Sequence, residues 1–420
     1  MRIRSDIATK LLDRVGLGRS NIASWQWHVL LVLTSINLLN YFDRLLLVPM
    51  FPTLKAEFHI SDFRLGLLAS IVLLVDCVTA LPAGYWSDRG PRRKIMAGGI
   101  FVWSAATFAT GLAPTYGPLL AARGVVGVGE GAYAPGGTAI ITASFPERLR
   151  ARVQSVYSMG MMVGGILGLA VGGLLAEWIG WRHSFMLVGL PGVLLGVAIY
   201  RLHVRAPKPP QEVPVSWGLL KIPAYVAVLA GGLFVSFSSA AFVIWSPAFL
   251  VRYHHLSIAK ASAWLALMAL VSSAIGVMFG GYLADRLRER WAWGRIGTVG
   301  AGILVATPFL YVTVVTDSLL AFYASVFVAT AALACYQGPI TAVIHDLTPS
   351  HAHAFAFGLY MFAIHFFGDA MAPAAVGFLS DRSNLRHSLL FGVGANLISA
   401  LCFLVAAWLV SRRAASHSSR

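Results

Sequence analysis

The feature that most constrains this chain is a succession of apolar runs, each about 20 residues long, which is the length an α-helix needs to cross a bilayer. Inside lipid the backbone must satisfy its own hydrogen bonds, so such runs form helices rather than strands. Of the 420 residues, 58% are hydrophobic and only 12% are charged, and the mean hydropathy is +0.74. A soluble domain has no place for that much apolar surface. We therefore predict an all-α membrane protein with twelve transmembrane helices, at 25–50, 64–86, 94–113, 118–143, 153–177, 183–203, 222–251, 261–284, 295–315, 318–345, 354–379 and 386–410.

The basic residues indicate the orientation of these spans. The net charge is +15, from 32 Lys and Arg against 17 Asp and Glu. With the N-terminus inside, the cytoplasmic segments hold 23 of the 32 basic residues, the outside segments hold 7, and two lie within spans. This asymmetry follows the positive-inside rule and places both termini in the cytoplasm, as expected for a plasma (inner) membrane protein. The basic excess therefore indicates membrane lipids as partners, and no nucleic acid.

Polar and Pro-rich stretches divide the chain. The first residues mix apolar side chains with Arg and Lys, which is typical of an amphipathic segment on the inner membrane surface. Midway, "HVRAPKPPQEVP" is polar and Pro-rich and predicts a linker. The predicted parts are a cytoplasmic amphipathic segment at 1–23, a six-helix half at 24–203, a cytoplasmic linker at 204–220, a second six-helix half at 221–411 and a cytoplasmic tail at 412–420.

A short pattern, G-x-x-[AS]-[DE], recurs four times along the chain. It occurs in "GYWSDRGPRRK", "GLLAEWIGWR", "GYLADRLRER" and "GFLSDRSNLR", at the ends of predicted spans 2, 5, 8 and 11. One copy for every three helices is what the four-fold duplication of a three-helix unit would leave. Span 5 also reads "GMMVGGILGLAVGG", and its glycines recur every four residues, which predicts a smooth strip for close helix contact.

These strings carry a family resemblance. "GYWSDRGPRRK" closely resembles the loop 2–3 signature of the major facilitator superfamily, which implies two halves built from 3+3 inverted repeats. Within that superfamily, "NYFDR", "RGVVGVGEGAY", "FLVRYHHLS", "IHFFGDAMAP" and "GFLSDR" resemble the Spinster branch, and together they span nearly the whole chain. "NYFDR" alone is similar to a string in organic-anion/proton symporters, so the resemblance to Spinster proteins depends on the string in span 11.

Two predicted spans carry charges at bilayer depth, where ionisable groups usually mark functional sites. In span 1 a polar stripe covers an arc of about 120° and consists of Asn37, Asn40, Asp43 and Arg44. In span 4, Arg123 and Glu130 are seven residues apart, so both project from one face about 10 Å apart along the axis. If the two stripes face each other, two acids and two arginines surround one pocket.

The residue types suggest that the arginines bind cargo and the acids carry protons. Arg44 and Arg123 can hold a phosphate or carboxylate, because guanidinium is a planar fork of donors that stays charged. Asp43 and Glu130 can titrate, and an anionic cargo that takes the arginine would leave the acid easier to protonate. The alternative is that these groups are structural ion pairs between two helices. The Spinster resemblance implies proton coupling and substrate binding for the acid–arginine pair of span 1 and the glutamate of span 4.

Further candidates are weaker. His365 and Asp369 form an i,i+4 pair in span 11, and Asp76 in span 2 is a departure from the Spinster pattern that is either an extra titratable group or a packing site. We predict proton coupling at Asp43, Glu130, Asp76 and His365. Predicted cargo contacts are Arg44, Arg123, Asn40, Tyr133, Trp245, Tyr336, Gln337 and Tyr360. Predicted gating residues are Asp88, Arg89, Arg92, Arg93, Asp285, Arg286 and Asp369.

The prediction for function is a proton-coupled secondary transporter that works by alternating access as a monomer. The Spinster resemblance implies a lipid cargo such as a lysophospholipid or a sphingosine-phosphate-like molecule, and an organic-acid/proton symporter of the sugar-acid type is the alternative. An enzyme is not expected, because the chain carries no Walker loop, H-E-x-x-H or G-x-S-x-G motif. Neither a cofactor nor a metal site is predicted, and the three cysteines lie in apolar spans without a CxxC pairing.

Overall fold

The computed structural model describes residues 23–202 and 216–418, and throughout these ranges the regular structure is helical. The predicted amphipathic segment 1–23, apart from its last residue, and most of the predicted linker 204–220 lie outside the described residues. We number the α-helices in chain order. They are α1 (Ser24–Leu46), α2 (Phe51–Phe58), α3 (Asp62–Arg89), α4 (Arg92–Leu112), α5 (Tyr116–Ser144), α6 (Glu147–Trp178), α7 (Gly180–Arg201), α8 (Pro223–Tyr253), α9 (Ile258–Arg290), α10 (Gly294–Val315), α11 (Leu319–Ala334), α12 (Ile340–Leu347), α13 (His353–Ala363), α14 (Ala372–Arg382) and α15 (Leu385–Ser418).

Twelve helical segments correspond to the twelve predicted spans. Ten of them are long and apolar enough to cross a membrane within the described part of the chain, and α11 is a shorter apolar helix of 16 residues. The twelfth is α5, which is 29 residues long and carries Arg123 and Glu130 among many glycines. The prediction of an all-α, multi-pass membrane protein is therefore confirmed.

The described residues form two compact units. Unit 1 contains those among 1–47 and 75–210, and unit 2 contains those among 48–74 and 211–420. Unit 2 thus includes α2 and the first part of α3, which the sequence assigns to the N-terminal half. The boundaries at 24–203 and 221–411 remain a prediction.

Irregular turns interrupt two of the predicted spans in unit 2. Span 10 is split, because α11 ends at Ala334 and α12 begins at Ile340, with turns at the "CYQGP" string between them. Span 11 contains a π-helical segment at Ile364–Asp369 between α13 and α14. π-Turns inside helices frequently lie at functional sites, and this one carries both ionisable residues predicted in span 11.

The glycine strip of α6 sets the position of α1 within unit 1. A Cβ atom at Gly160 would lie 2.6 Å from the carbonyl oxygen of Thr34. Cβ atoms at Gly164 and Gly168 would overlap the backbones of Leu38 and Phe42. These contacts confirm that the glycines of this strip allow close helix approach, as their spacing predicts. They also bring α6 against the helix that carries Asp43 and Arg44.

We predict that Gly164→Ala destabilises the protein, because the added methyl group meets backbone that cannot move away like a side chain. Overpacking of this kind costs about 1–3 kcal/mol, so the thermal midpoint of the purified protein in detergent should fall by several degrees. Gly98→Ala is the matched control, because a Cβ atom there meets nothing within 4 Å. Equal midpoints for the two variants would contradict the role of the strip.

Candidate functional site

The centre of unit 1 is a pair of ion bridges made by one arginine. Arg44 on α1 donates from Nη2 to Asp76 Oδ2 on α3 at 2.6 Å and from Nε to Glu130 Oε2 on α5 at 2.7 Å. Its guanidinium also lies 5.2 Å from the centre of the Tyr41 ring. Arg44 therefore joins three helices by charge-assisted hydrogen bonds, which are stronger than neutral ones.

A second ion pair lies beside the first and is more deeply buried. Arg123 on α5 approaches Asp43 Oδ2 through Nη1 at 3.4 Å, and Thr107 on α4 donates to the same oxygen at 3.1 Å. Asp43 and Arg44 are neighbours in sequence, but each pairs with a side chain of α5. The polar stripes predicted for spans 1 and 4 thus face each other, and their charges pair crosswise.

We call Asp43, Arg44, Asp76, Arg123 and Glu130 the five-charge cluster. With every group ionised, three carboxylates face two guanidinium groups and the cluster carries one net negative charge. The exposed fraction is 0–1% for Asp43, Arg123 and Glu130, whereas it is 18% and 15% for the side chains of Arg44 and Asp76. The accessible end of the cluster is therefore the one formed by Arg44 and Asp76.

The buried end of the five-charge cluster is incompletely hydrogen-bonded. Among the described residues, no partner meets Asp43 Oδ1, Arg123 Nε or Glu130 Oε1. Buried polar atoms without partners are rare, and each one marks strain, an unplaced water or ion, or a group that changes its protonation or partner during function. Two of the three atoms are carboxylate oxygens that can accept a proton without breaking an existing contact.

Other predicted polar residues of unit 1 are buried, and two of them hydrogen-bond to Tyr157. Tyr133 on α5 is buried and shares a hydrogen bond with Tyr157, with 3.1 Å between the hydroxyl oxygens. Asn37 donates to the carbonyl oxygen of Tyr157 at 2.9 Å, and Asn40 is 5% exposed. The predicted contact of Asn40 and Tyr133 with cargo stays a prediction.

In unit 2, the π-helical segment forms a smaller polar cluster. The ring of His365 hydrogen-bonds through Nδ1 to Asp369 Oδ2 at 2.6 Å, and Ser236 on α8 donates to Asp369 Oδ1. The structure thus brings the predicted i,i+4 pair into direct contact. The side chain of His365 is 47% exposed, so this cluster is accessible at its imidazole ring.

The remaining predicted cargo contacts of unit 2 have different surroundings. Trp245 is fully buried, and its indole donates to the carbonyl oxygen of Pro373 at 3.1 Å. The hydroxyl groups of Tyr336 and buried Tyr360 hydrogen-bond to each other, and Gln337 is exposed. Trp245 therefore has the contacts of a packing residue, while Tyr336 and Gln337 are accessible.

The predicted gating residues near loop 2–3 make contacts at helix ends in unit 1. Arg89 stacks on Tyr85 with 3.9 Å between the guanidinium carbon and the ring centre. Arg92 donates to the carbonyl oxygen of Ser87 at 3.3 Å, and Arg93 donates to that of Leu202. These are helix-end contacts of basic side chains. The side chain of Asp88 lies outside the part of the chain that the structure describes, so its predicted role stays untested.

The corresponding residues of unit 2 belong to a network that the sequence did not indicate. Asp285 accepts from Arg295 at 3.0 and 3.1 Å, and Arg295 also donates to Asp346 at 3.1 Å. Arg286 instead donates to the hydroxyl group of Tyr282. The sequence predicted a gating role for Asp285, but spacing alone does not show that its partner is Arg295 on α10 or that Arg295 also reaches Asp346 on α12.

Unit 2 contains a second ionic network that the sequence analysis did not predict. We call it the outer cluster, and its members are Lys55, Asp62, Arg252, Ser380 and Asp381. The carboxylate of Asp62 accepts two bonds from Arg252 at 2.6 and 2.7 Å, one from Lys55 at 2.6 Å and one from Ser380 at 2.6 Å. The carboxylate of Asp381 accepts from the backbone N–H groups of Asp62 and Phe63 at 2.8 and 2.9 Å, and so caps the N-terminus of α3. The signal for this network is the fourth G-x-x-[AS]-[DE] copy, "GFLSDR", whose acid is Asp381.

The sequence also matches a known transporter class. The sequence profile of the Major Facilitator Superfamily matches residues 33–373, which is most of the chain. The chain belongs to the Major Facilitator Superfamily. It is therefore an integral multi-pass membrane transporter with a small-molecule substrate, and the resemblance stated from its loop 2–3 signature is confirmed.

Relatives confirm the resemblance to Spinster proteins. The chain is 28% identical to an MFS-type efflux pump of Mycolicibacterium smegmatis, over 97% of this chain and 96% of the relative. It is 28% identical to protein spinster homolog 1 of Homo sapiens, over 84% of this chain and 73% of the relative. It is 27% identical to a sphingosine-1-phosphate transporter of Xenopus tropicalis, over 85% of this chain and 75% of the relative.

A solved structure shows the same fold. The crystal structure of a bacterial homologue of the human lysosomal transporter Spinster, in an inward-facing and occupied conformation, has a TM-score of 0.80 at 24% sequence identity. The likeness covers 91% of this chain and 97% of the other. It shows that the described helices adopt the fold of the superfamily.

We predict that Asp381→Asn destabilises the protein, because the amide keeps one acceptor where the carboxylate provides two and loses the charge that favours a helix N-terminus. Losing such a cap costs about 1 kcal/mol, and the thermal midpoint should fall by a few degrees. Asp317→Asn is the control, because Asp317 is an exposed residue that pairs only with Arg386 among the described ion pairs. An unchanged midpoint in Asp381→Asn would contradict the capping role.

Proposed function

We propose that the chain is a proton-coupled secondary active transporter of an amphiphilic lipid with an anionic or zwitterionic head group. The cargo is a lysophospholipid or a sphingosine-phosphate-like molecule, and transport proceeds by alternating access. The chain works as a monomer in the plasma (inner) membrane, with both termini cytoplasmic. Support for the cargo class comes from the two arginines of the five-charge cluster and from the sphingosine-1-phosphate transporter among the relatives.

The observation that carries this proposal is the sharing of Arg44 between two carboxylates. Arg44 uses separate nitrogens for Glu130 and Asp76, at 2.7 and 2.6 Å, and part of its side chain stays exposed. A phosphate or carboxylate that arrives from solvent can take the same donors, since guanidinium binds both groups through its planar fork. Cargo therefore competes directly with the protein's own acids.

This competition links cargo binding to proton uptake. Glu130 is buried, and Arg44 is the cation with which it pairs. A buried carboxylate that loses its cation is costly to keep charged, so it takes up a proton. Cargo at Arg44 thus promotes protonation of Glu130, and by reciprocity a proton at Glu130 releases Arg44 for cargo. Asp43, paired with Arg123, provides a second acid in the same cluster.

The polar cluster on the π-helical segment supplies a second proton site. His365 is exposed and is bonded to Asp369, and an imidazole ring can pass a proton from one of its nitrogens to a neighbour. Asp369 is proposed to hold this segment in place through Ser236. The gating residues near loop 2–3, with Asp285 and Arg286, are proposed to make and break contacts as the transporter changes conformation.

We predict that Glu130→Gln loses pH-driven uptake. The measurement is uptake of fluorescent lysophosphatidylcholine and sphingosine 1-phosphate into vesicles containing purified protein, with and without an imposed pH gradient. The amide keeps the size of the side chain but cannot take up a proton, so uptake should no longer respond to the gradient while cargo still binds. Glu289→Gln makes the same chemical change at an exposed position and should behave like the wild type.

Two results would overturn parts of this proposal. Full gradient-driven uptake in Glu130→Gln would exclude Glu130 as the proton carrier. A wild-type protein that takes up sugar acids but neither lipid would replace the lipid proposal with the organic-acid symporter, which would use the same arginines on a carboxylate.

We predict further that Arg44→Lys lowers uptake roughly tenfold or more, because an ammonium group is a point charge and cannot reproduce a rigid planar fork. The substitution keeps the net charge, so it tests geometry rather than electrostatic attraction. Arg290→Lys, at an exposed helix end, is the matched control. Wild-type uptake in Arg44→Lys would show that charge alone is sufficient at this position.

A further inference from the structure

Asp76 gives the five-charge cluster its net negative charge. Asp43 pairs with Arg123 and Glu130 pairs with Arg44, so these four groups balance each other. Asp76 is the third carboxylate, and it shares Arg44 with Glu130. The groups nearest to it are Arg44 with Tyr41 from α1 and Glu130 from α5.

The position of Asp76 also differs from that of the other acids. Asp43 and Glu130 are buried, whereas the side chain of Asp76 is 15% exposed and lies at the accessible end of the cluster next to Arg44. A head group that enters from solvent and reaches Arg44 therefore meets Asp76 at the same time. Asp76 is placed to interact with whatever group follows the phosphate.

The backbones of α3 and α5 approach each other closely at Asp76, because a Cβ atom at Gly131 would lie 2.7 Å from the carbonyl oxygen of Asp76 and 2.9 Å from Thr79 Cβ. The ion pair of Asp76 joins α3 to a different helix, because Arg44 lies on α1. Glu130 already gives Arg44 one carboxylate partner, so Asp76 adds an excess negative charge to the cluster.

We propose that Asp76 selects the charge of the cargo head group. In the empty site Asp76 forms an ion pair with Arg44. When a cargo phosphate takes Arg44, Asp76 pairs with a cationic group of the same head group. A purely anionic head group would instead place its negative charge next to Asp76 without a counter-ion. The resulting repulsion lowers the affinity for anionic cargo and so makes the site specific. The inference rests on the proposed lipid transport and adds the residue that separates zwitterionic from anionic cargo.

The test compares two lysolipids with one acyl chain, lysophosphatidylethanolamine and lysophosphatidylglycerol. Both carry a phosphodiester, and only the first carries an ammonium group. Binding to the purified full-length protein in vesicles should favour the ethanolamine lipid. Asp76→Asn should raise affinity for the glycerol lipid on the order of tenfold, as expected for the loss of a close like-charge contact, and should bring the affinity ratio towards one. Asp76→Glu should keep the wild-type order, and Asp317→Asn should leave the ratio unchanged.

The outcomes separate this inference from the function on which it rests. If both lipids bind and Asp76→Asn leaves their ratio unchanged, the selective role of Asp76 is overturned while lipid transport stands. If the wild type binds neither lipid, the lipid proposal fails and the inference fails with it. The wild type is also a test by itself, because a preference for the glycerol lipid would overturn the inference without any variant.

Discussion

The structure of unit 1 depends on how charges are kept at bilayer depth. An isolated ion there costs several kcal/mol, so each charge needs a partner of opposite sign with good geometry. The chain meets this requirement with crosswise pairs between α1 and α5, and the adjacent residues Asp43 and Arg44 take different partners. The adjacency is essential, because helical geometry turns neighbouring side chains about 100° apart and sends one charge to each partner. The same residues that make α1 costly to insert into lipid therefore also hold it against α5.

Packing determines whether those pairs can form. The glycines of α6 bring it against the backbone of α1, and Gly131 lets α5 approach α3 at the level of Asp76. Ion pairs tolerate only small errors in position, since a shift of about 1 Å separates atoms that now lie 2.6–2.7 Å apart. Small residues thus serve the chemistry of the cluster indirectly. A larger side chain at these positions would displace a whole helix and open the ion pairs without touching a charged residue.

Sequence alone predicted the spans and the polar stripe on each of α1 and α5, because hydrophobic length and helical periodicity are local properties. It left as a condition that the two stripes face each other, and it identified His365 and Asp369 as an i,i+4 pair. It did not predict the partner of Asp76, because the rotation of α3 is set by packing against other helices. The bond from Arg252 to Asp62 joins residues 190 positions apart, and nothing local marks either one. The sequence did not predict the π-helical segment, which lies against α8.

The outer cluster shows what the repeated pattern provides in physical terms. Each copy places an acid near the end of a helix, and two described copies in unit 2 use it differently. Asp285 accepts from a side chain, Arg295, whereas Asp381 accepts from two backbone N–H groups at the start of α3. A helix N-terminus exposes unpaired donors and partial positive charge, so a carboxylate there binds without needing a specific residue as partner. An anchor of this kind constrains position but not sequence. Asp381 can therefore cap the helix through backbone groups while the side chain of Asp62 binds its own partners in the same place. Because the cap contacts only backbone, the identities of Asp62 and Phe63 do not predict it.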